Sequence, residues 1–86
     1  MKVVPTCIFN RSNPIVLGVE VIHGIASVGM HVSSKASTGD VQVGRITALE
    51  IDTKSEQVAY AGQKATVIID SNVHFDDLTN EMLTGS

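Results

Sequence analysis

From Ile15 to Ile22 the chain reads IVLGVEVI, and Ile15, Leu17, Val19 and Val21 fall on one side of a period-two pattern. The other side carries Val16, Gly18, Glu20 and Ile22, so one face is wholly apolar and the other only partly so. A repeat of two belongs to a pleated strand, whose successive side chains point to opposite faces, whereas a helix returns its apolar residues every three or four positions. Val, Ile and Thr make up nearly a third of the 86 residues. Branching at Cβ suits strands better than helices. The apolar fraction is 43%, yet only one Tyr and two Phe contribute to it. The expected core is therefore aliphatic and the expected class all-β.

The rest of the chain follows the same grammar. Residues 3–9, VVPTCIF, read as a strand with Pro5 at an edge or bend. Residues 10–14, NRSNP, read as a turn. After the 15–22 strand come a turn at His23 and Gly24, a short strand IASV, a turn at Gly29, and a strand MHVSS. Residues 35–40, KASTGD, read as a polar loop. The stretch 41–51, VQVGRITALEI, is a long strand whose apolar phase changes between Val43 and Ile46, and Gly44 between them predicts a bulge or barrel corner. Residues 52–57, DTKSEQ, read as a solvated loop; Thr53 and Glu56 match a helix capping box, but no helical stripe follows them. AYAGQ then turns into a strand at 64–70, KATVIID.

The last segment changes character. Phe75, Leu78, Met82 and Leu83 recur at helical spacing with Asp76 and Asp77 ahead of them, which predicts a short helix. Six or seven short strands without intervening helices imply a closed barrel or a sandwich, with a short helical segment at the end of the chain. At 86 residues the chain is one small domain.

Charge and cysteine content exclude several classes. A net charge of −3 with six scattered basic residues argues against gripping nucleic acid mainly through phosphates. Cys7 is the only cysteine, so no internal disulfide staples the domain, which agrees with a reducing cytoplasm. Pro5 follows Lys2 too closely for a secretory signal, and no apolar run is long enough to span a bilayer, so no membrane partner is expected.

GIASVGMH, residues 24–31, holds two glycines at the G-x-x-x-x-G spacing of a phosphate-binding loop. That loop needs Lys and then Ser or Thr after its second glycine, and a helix whose N-terminus faces the anion. Here Met30 and His31 stand in those places and nothing after Gly29 is helical. Turns between strands are the simpler explanation. His23, His31 and His74 are too scattered to pair as metal ligands, and Cys7 has no activating context. Glu50 and Asp52 share a strand face in the manner of a glycosidase pair, although a strand running out into a polar loop explains them more simply. No catalytic residue and no metal ligand are expected, which leaves binding.

Two stretches carry a resemblance: CIFNRSNPIVLGVEVIHGIASVGMHV and VGRITALEIDTKSEQVAYAGQKATVII. They resemble the carboxy-terminal barrel, domain IV, of the universal translation initiation GTPases, eukaryotic and archaeal initiation factor five-B, with bacterial initiation factor two more distant. The matching residues are Phe9, Asn10, Pro14, Ile15, Val16, Gly18, Val19, Gly24, Gly29, Gly44, Ile46, Leu49, Glu50, Val58, Ala59, Gly62 and Gln63. The resemblance covers about residues 3–75. The GTPase domain, the second barrel, the third domain and the connecting helix of the family have no counterpart in these 86 residues, so the chain reads as an excised domain with an added Met1.

The resemblance implies a small closed Greek-key β-barrel of the translation-GTPase domain-II-like type over 1–75 with a short helical segment over 76–86, a module that holds the aminoacylated acceptor end of initiator methionyl-tRNA during ribosomal subunit joining. It further implies contact with the acidic tail of eukaryotic initiation factor one-A through the terminal helical part, where Phe75, Leu78 and Met82 stand. Carried over by position, the acceptor-end residues are Gly18, Val19, Lys64 and Ala65, with Ile51 near a basic position of the bacterial pattern and Arg45 as a further phosphate partner. Ordinary barrel core is the competing reading of Val19 and Ala65, and solvated strand charge that of Lys64 and Arg45. GTP and magnesium would belong to the parent's GTPase domain, and no cofactor is expected in this chain. Two alternatives stay open: a domain-II-like barrel of another translation GTPase contacting ribosomal RNA, and a protein-interaction barrel with no RNA role.

Overall fold

The alternation at residues 15–22 becomes a strand, β2 (Ile15–His23), that buries Ile15, Leu17, Val19 and Val21 on its inner face. The structure, a computed structural model, describes residues 1–36, 39–74 and 83–85, and among these every regular element is a strand. The others are β1 (Lys2–Arg11), β3 (Ile25–Ser27), β4 (His31–Ala36), β5 (Gly39–Ile51), β6 (Lys54–Glu56), β7 (Val58–Tyr60), β8 (Lys64–Asp70) and β9 (Leu83–Gly85). Going around the barrel, β1, β2, β8, β5, β4 and β9 pair in turn, and β9 pairs again with β1. Every one of these pairings is antiparallel. Closure leaves six strands without a continuous open edge. The consecutive barrel strands β4, β5 and β8 fold back so that β8 lies beside β2, which is the Greek-key arrangement expected from the sequence.

The core is aliphatic, as composition requires. Its largest members are Ile15, Leu17, Ile46, Leu49, Ile69 and Leu83, and among the described residues no aromatic side chain belongs to it. Strand β5 reaches this core from two phases because it is bulged twice. Val43 is the extra residue between Val32↔Gly44 and Ser33↔Gln42, and Thr47 is the extra residue between Ile46↔Ile69 and Ala48↔Ile68. Each inserted residue reverses the side-chain phase, so the buried positions run Val43, Ile46, Leu49. The first reversal is the one predicted around Gly44; the second was not legible in the sequence. At Gly44 a Cβ would collide with the Asp70 carbonyl oxygen and lie 2.9 Å from its carbon, so the β5–β8 approach at this corner excludes any side chain.

The two glycines of GIASVGMH are turns. Gly24 and Gly29 have φ of 75° and 93° and flank the three-residue β3, which pairs with β7 in a small second sheet. Gly29 donates its N–H to the Ile46 carbonyl at 2.8 Å and thereby fastens the turn to β5. No helix N-terminus follows, so the anion-binding geometry of a nucleotide loop does not arise here.

Three expectations change. Residues 52–57 are not a solvated loop: Asp52 and Thr53 form a two-residue turn with φ of 52° and 67°, and β6 folds back to pair Ile51↔Lys54 and Glu50↔Ser55. Positive φ at both turn positions matches the twist of a hairpin, so the capping-box match at Thr53 and Glu56 is a hairpin instead. The polar loop over 35–40 shrinks, because Lys35↔Asp40 and Ala36↔Gly39 are already paired between β4 and β5. The predicted helix falls on residues 75–82, with Asp76 and Asp77, and these lie outside the described residues. Leu83, grouped with that helix by its spacing, belongs to β9, where it pairs with Val3 and with Ser34. The barrel is thus completed by a strand from the 76–86 segment and not within residues 1–75.

Candidate functional site

Strand β1 is bulged at Thr6 and again at Phe9, since Pro5↔Val19 is followed by Cys7↔Gly18 and Ile8↔Leu17 by Asn10↔Val16. The bulges turn Thr6, Cys7 and Phe9 toward the outside of β2, where Gly18 offers no side chain to meet them. A Cβ placed on Gly18 would lie 3.3 Å from Cys7 Cβ and 3.5 Å from a ring carbon of Phe9. The result is a groove of about 250 Å³ with Gly18 at its floor. Thr6, Cys7 and Phe9 make one wall; Thr66, Lys64 and Glu50 make the other; Asp52 and Thr53 close the end.

One cross-strand row explains this gathering. Cys7 on β1 faces Gly18 on β2, Gly18 faces Thr66 on β8, Thr66 faces Glu50 on β5, and Glu50 faces Ser55 on β6. Opposed residues of an antiparallel sheet share a face, so the row lies on the outer surface. The adjacent row, Val19↔Ala65, points inward: the two are 1% and 7% exposed and meet the groove only at its base. Phe9, at 62% exposed, is the largest apolar surface at the groove. The charged side chains lining it are two carboxylates, Glu50 and Asp52, and one ammonium, Lys64. Glu20 stands opposite Lys64 in the β2–β8 register.

The residues named from the sequence divide into four sets. Gly18, Val19, Lys64 and Ala65 all border this groove. Ile51 sits beside it between Glu50 and Asp52, but its side chain packs against the core. Arg45 is elsewhere, exposed opposite His31 and Asp70, five residues along β5 from Glu50 and so roughly 16 Å away at strand rise. Phe75, Leu78 and Met82 lie outside the described residues. Thr6, Cys7, Phe9, Glu50, Asp52, Thr53 and Thr66 complete the lining, and the sequence assigns none of them to a site. The bulges that aim Thr6 and Phe9 leave no sequence signal. Glu50 and Asp52 were singled out as a pair, and the pairing of β5 with β8 is what brings them here.

A second groove of about 420 Å³ adjoins the first and shares Phe9 with it; Ile8, Asn10, Arg11, Ser12 and His74 line the remainder. Its rim is held by Asn10, whose amide nitrogen donates to the Ser12 carbonyl at 3.0 Å and the Pro14 carbonyl at 2.7 Å. This is the turn expected from NRSNP. Among the described residues no three His, Cys, Asp or Glu side chains gather as they would around a metal ion.

The family model described as Elongation factor Tu domain 4 matches residues 1–81. Eukaryotic translation initiation factor 5B of Rattus norvegicus is 42% identical over 72 residues, which is 81% of this chain and 6% of that protein. The probable translation initiation factor IF-2 of Methanococcus aeolicus is 31% identical over 75 residues, 85% of this chain and 12% of that protein. Among solved structures, GDP-bound aIF5B from Aeropyrum pernix superposes with a TM-score of 0.83 at 30% identity, covering 98% of this chain and 14% of that one. The chain therefore spans a small part of the length of each relative it matches.

Proposed function

Because the chain belongs to the Elongation factor Tu domain 4 family, on the side of the translation initiation factors 5B and archaeal IF-2, we propose that it binds the aminoacylated acceptor end of initiator methionyl-tRNA and so takes part in joining the ribosomal subunits in the cytoplasm. The observation that carries this reading is the groove over Gly18. Four of the six residues carried over by position from the family's pattern, Gly18, Val19, Lys64 and Ala65, come together there from two different strands. A cavity of 250 Å³ is below the roughly 300 Å³ at which sites for drug-sized ligands begin. It suits one small group, such as an aminoacyl residue, better than a run of nucleotides.

The domain acts by binding and has no chemistry of its own. Hydrolysis of GTP, with the GTP and magnesium it uses, is assigned in this reading to a separate domain of the parent protein. A contact with the acidic tail of eukaryotic initiation factor one-A is assigned to Phe75, Leu78 and Met82. Titrating charged and uncharged initiator tRNA into the isotope-labelled chain at low salt tests the acceptor-end role. The charged form is expected to move the amide signals of Gly18, Lys64 and Thr66 more than the uncharged form. Equal and negligible shifts with both would remove the role from this domain.

A further inference from the structure

We propose that Met30 is a redox-sensitive latch on the strand that closes the barrel: oxidation of its thioether to the sulfoxide by a hydroperoxide releases β9 from β4 and β1. The latch is independent of what the groove over Gly18 binds.

The closing strand has little to hold it. β9 is three residues long and meets β1 through Lys2↔Thr84 and Val3↔Leu83, and β4 through Val32↔Gly85, Ser33↔Thr84 and Ser34↔Leu83. Leu83 anchors one end of the strand in the core. The other end is Gly85, which has no side chain to bury, and methionine covers it instead. A Cβ built on Gly85 would lie 2.5 Å from Met1 Cε, 2.7 Å from Met30 Sδ and 3.1 Å from the His31 carbonyl oxygen, so two thioether side chains fill the space that a side chain here would take. The Met30 sulfur thus rests against the backbone of the strand that completes the ring.

Met30 itself is fixed to other elements. Its N–H is donated to the Ser27 carbonyl at 3.2 Å, and its carbonyl accepts the Ile46 N–H at 2.9 Å, so its backbone is tied to the turn after β3 and to β5 while its side chain reaches β9. The side chain packs against the aliphatic core and is only partly buried. A thioether so placed contributes to packing and is still within reach of a small oxidant.

The chemistry is a two-electron oxygen transfer. A lone pair on the Met30 sulfur attacks the terminal oxygen of the hydroperoxide, and the S–O bond forms as the O–O bond breaks. The sulfur is oxidised by two electrons; the departing oxygen takes up the proton of the attacked one and leaves as water or an alcohol. A polar, chiral sulfoxide now stands where an apolar sulfur lay. The Gly85 N–H is already donated to the Met1 carbonyl at 3.0 Å, and so is not free to satisfy the new oxygen. Left between Gly85 and the core, that oxygen is a buried acceptor without a donor; turned out to water, it takes the side chain off Gly85. Either outcome weakens the Gly85 end of the seam. A methionine sulfoxide reductase returns the thioether and with it the closed strand.

The test uses the full chain and hydrogen peroxide, with oxidation at Met1, Met30 and Met82 read by peptide mass spectrometry. Amide hydrogen exchange is followed by NMR before and after treatment. In chains oxidised at Met30, exchange at Gly85 is expected to quicken by about tenfold, the order of one unsatisfied buried polar group. Exchange at Leu17 and Val67, paired between β2 and β8 across the ring from β9, should stay as it was. Reductase treatment should restore the original rate. Met30→Leu keeps a side chain of similar volume and removes the sulfur, so peroxide should leave Gly85 unchanged in that variant.

Full conversion of Met30 to the sulfoxide with no change at Gly85 overturns the latch. So does a Met30 that stays reduced in peroxide that oxidises Met1. Acceleration that survives in Met30→Leu assigns the effect to another methionine, and acceleration shared equally by Leu17 and Val67 is general unfolding; each refutes a latch at Met30.

Discussion

Replacing Leu83 by alanine tests the closure of the barrel, because the two placements of this residue differ sharply in what the change costs. In β9 Leu83 is 1% exposed, sits between β1 and β4, and belongs to the main aliphatic core. Truncating a fully buried leucine removes its transfer free energy and leaves a cavity, together about 2–5 kcal/mol. A domain of this size holds roughly 4–13 kcal/mol in total, so the loss is a large fraction of what stabilises the fold. With about 4–8 °C of melting temperature per kcal/mol for domains of 60–100 residues, a loss near 3 kcal/mol lowers the midpoint by roughly 12–24 °C. The assay is thermal and urea unfolding of the chain and its Leu83→Ala variant, followed by circular dichroism and fitted as two-state transitions. On the outer face of a terminal helix the same change would cost within about 0.5 kcal/mol. A measured loss below 1 kcal/mol would therefore refute the placement of Leu83 as the residue that closes the barrel.

Three further substitutions probe other parts of the reasoning. Ser34 is 1% exposed and its hydroxyl has no hydrogen-bond partner among the described residues, so Ser34→Ala should raise stability by up to about 1 kcal/mol in the same melts; a loss of that size would mean the hydroxyl is bonded after all. Thr53 holds a φ of 67°, a costly conformation for a β-branched residue. Thr53→Gly should therefore stabilise the β5–β6 hairpin by about 1 kcal/mol, and a destabilised variant would argue that the bond the Thr53 hydroxyl donates to the Asp52 carbonyl outweighs the backbone strain. Gly18→Ala should fill the groove floor against Cys7 and Phe9, weakening the response to a charged RNA end while moving stability by less than about 1 kcal/mol; undiminished binding would place the ligand elsewhere.

How much of the site the sequence disclosed depends on whether a residue acts through its own type or through its neighbours. Gly18, Val19, Lys64 and Ala65 were reached by matching motifs, and the β2–β8 register places them at one groove. Arg45 is singled out by its charge alone, but it stands at the middle of a long strand, five residues from Glu50 and beside His31 and Asp70. Ile51 alternates inward where its neighbours alternate outward. Glu50 and Asp52 looked like loop-edge charges because nothing in the linear sequence shows which strand lies across from them.

What the sequence determined by itself is whatever arises within a few residues. Alternation over 15–22 dictated β2 and its buried face, the scarcity of aromatics dictated an aliphatic core, and Gly24 and Gly29 dictated turns where a nucleotide loop seemed to offer itself. Those properties follow from backbone sterics and from the period of the side chains. Only the tertiary structure decided which strands became neighbours. The second bulge of β5 at Thr47 and the two bulges of β1 depend on the curvature that closure imposes, and the recruitment of Leu83 into β9 depends on a gap between β1 and β4. Register is a property of pairs of strands, so a groove built across four of them comes into view only when all four are in place.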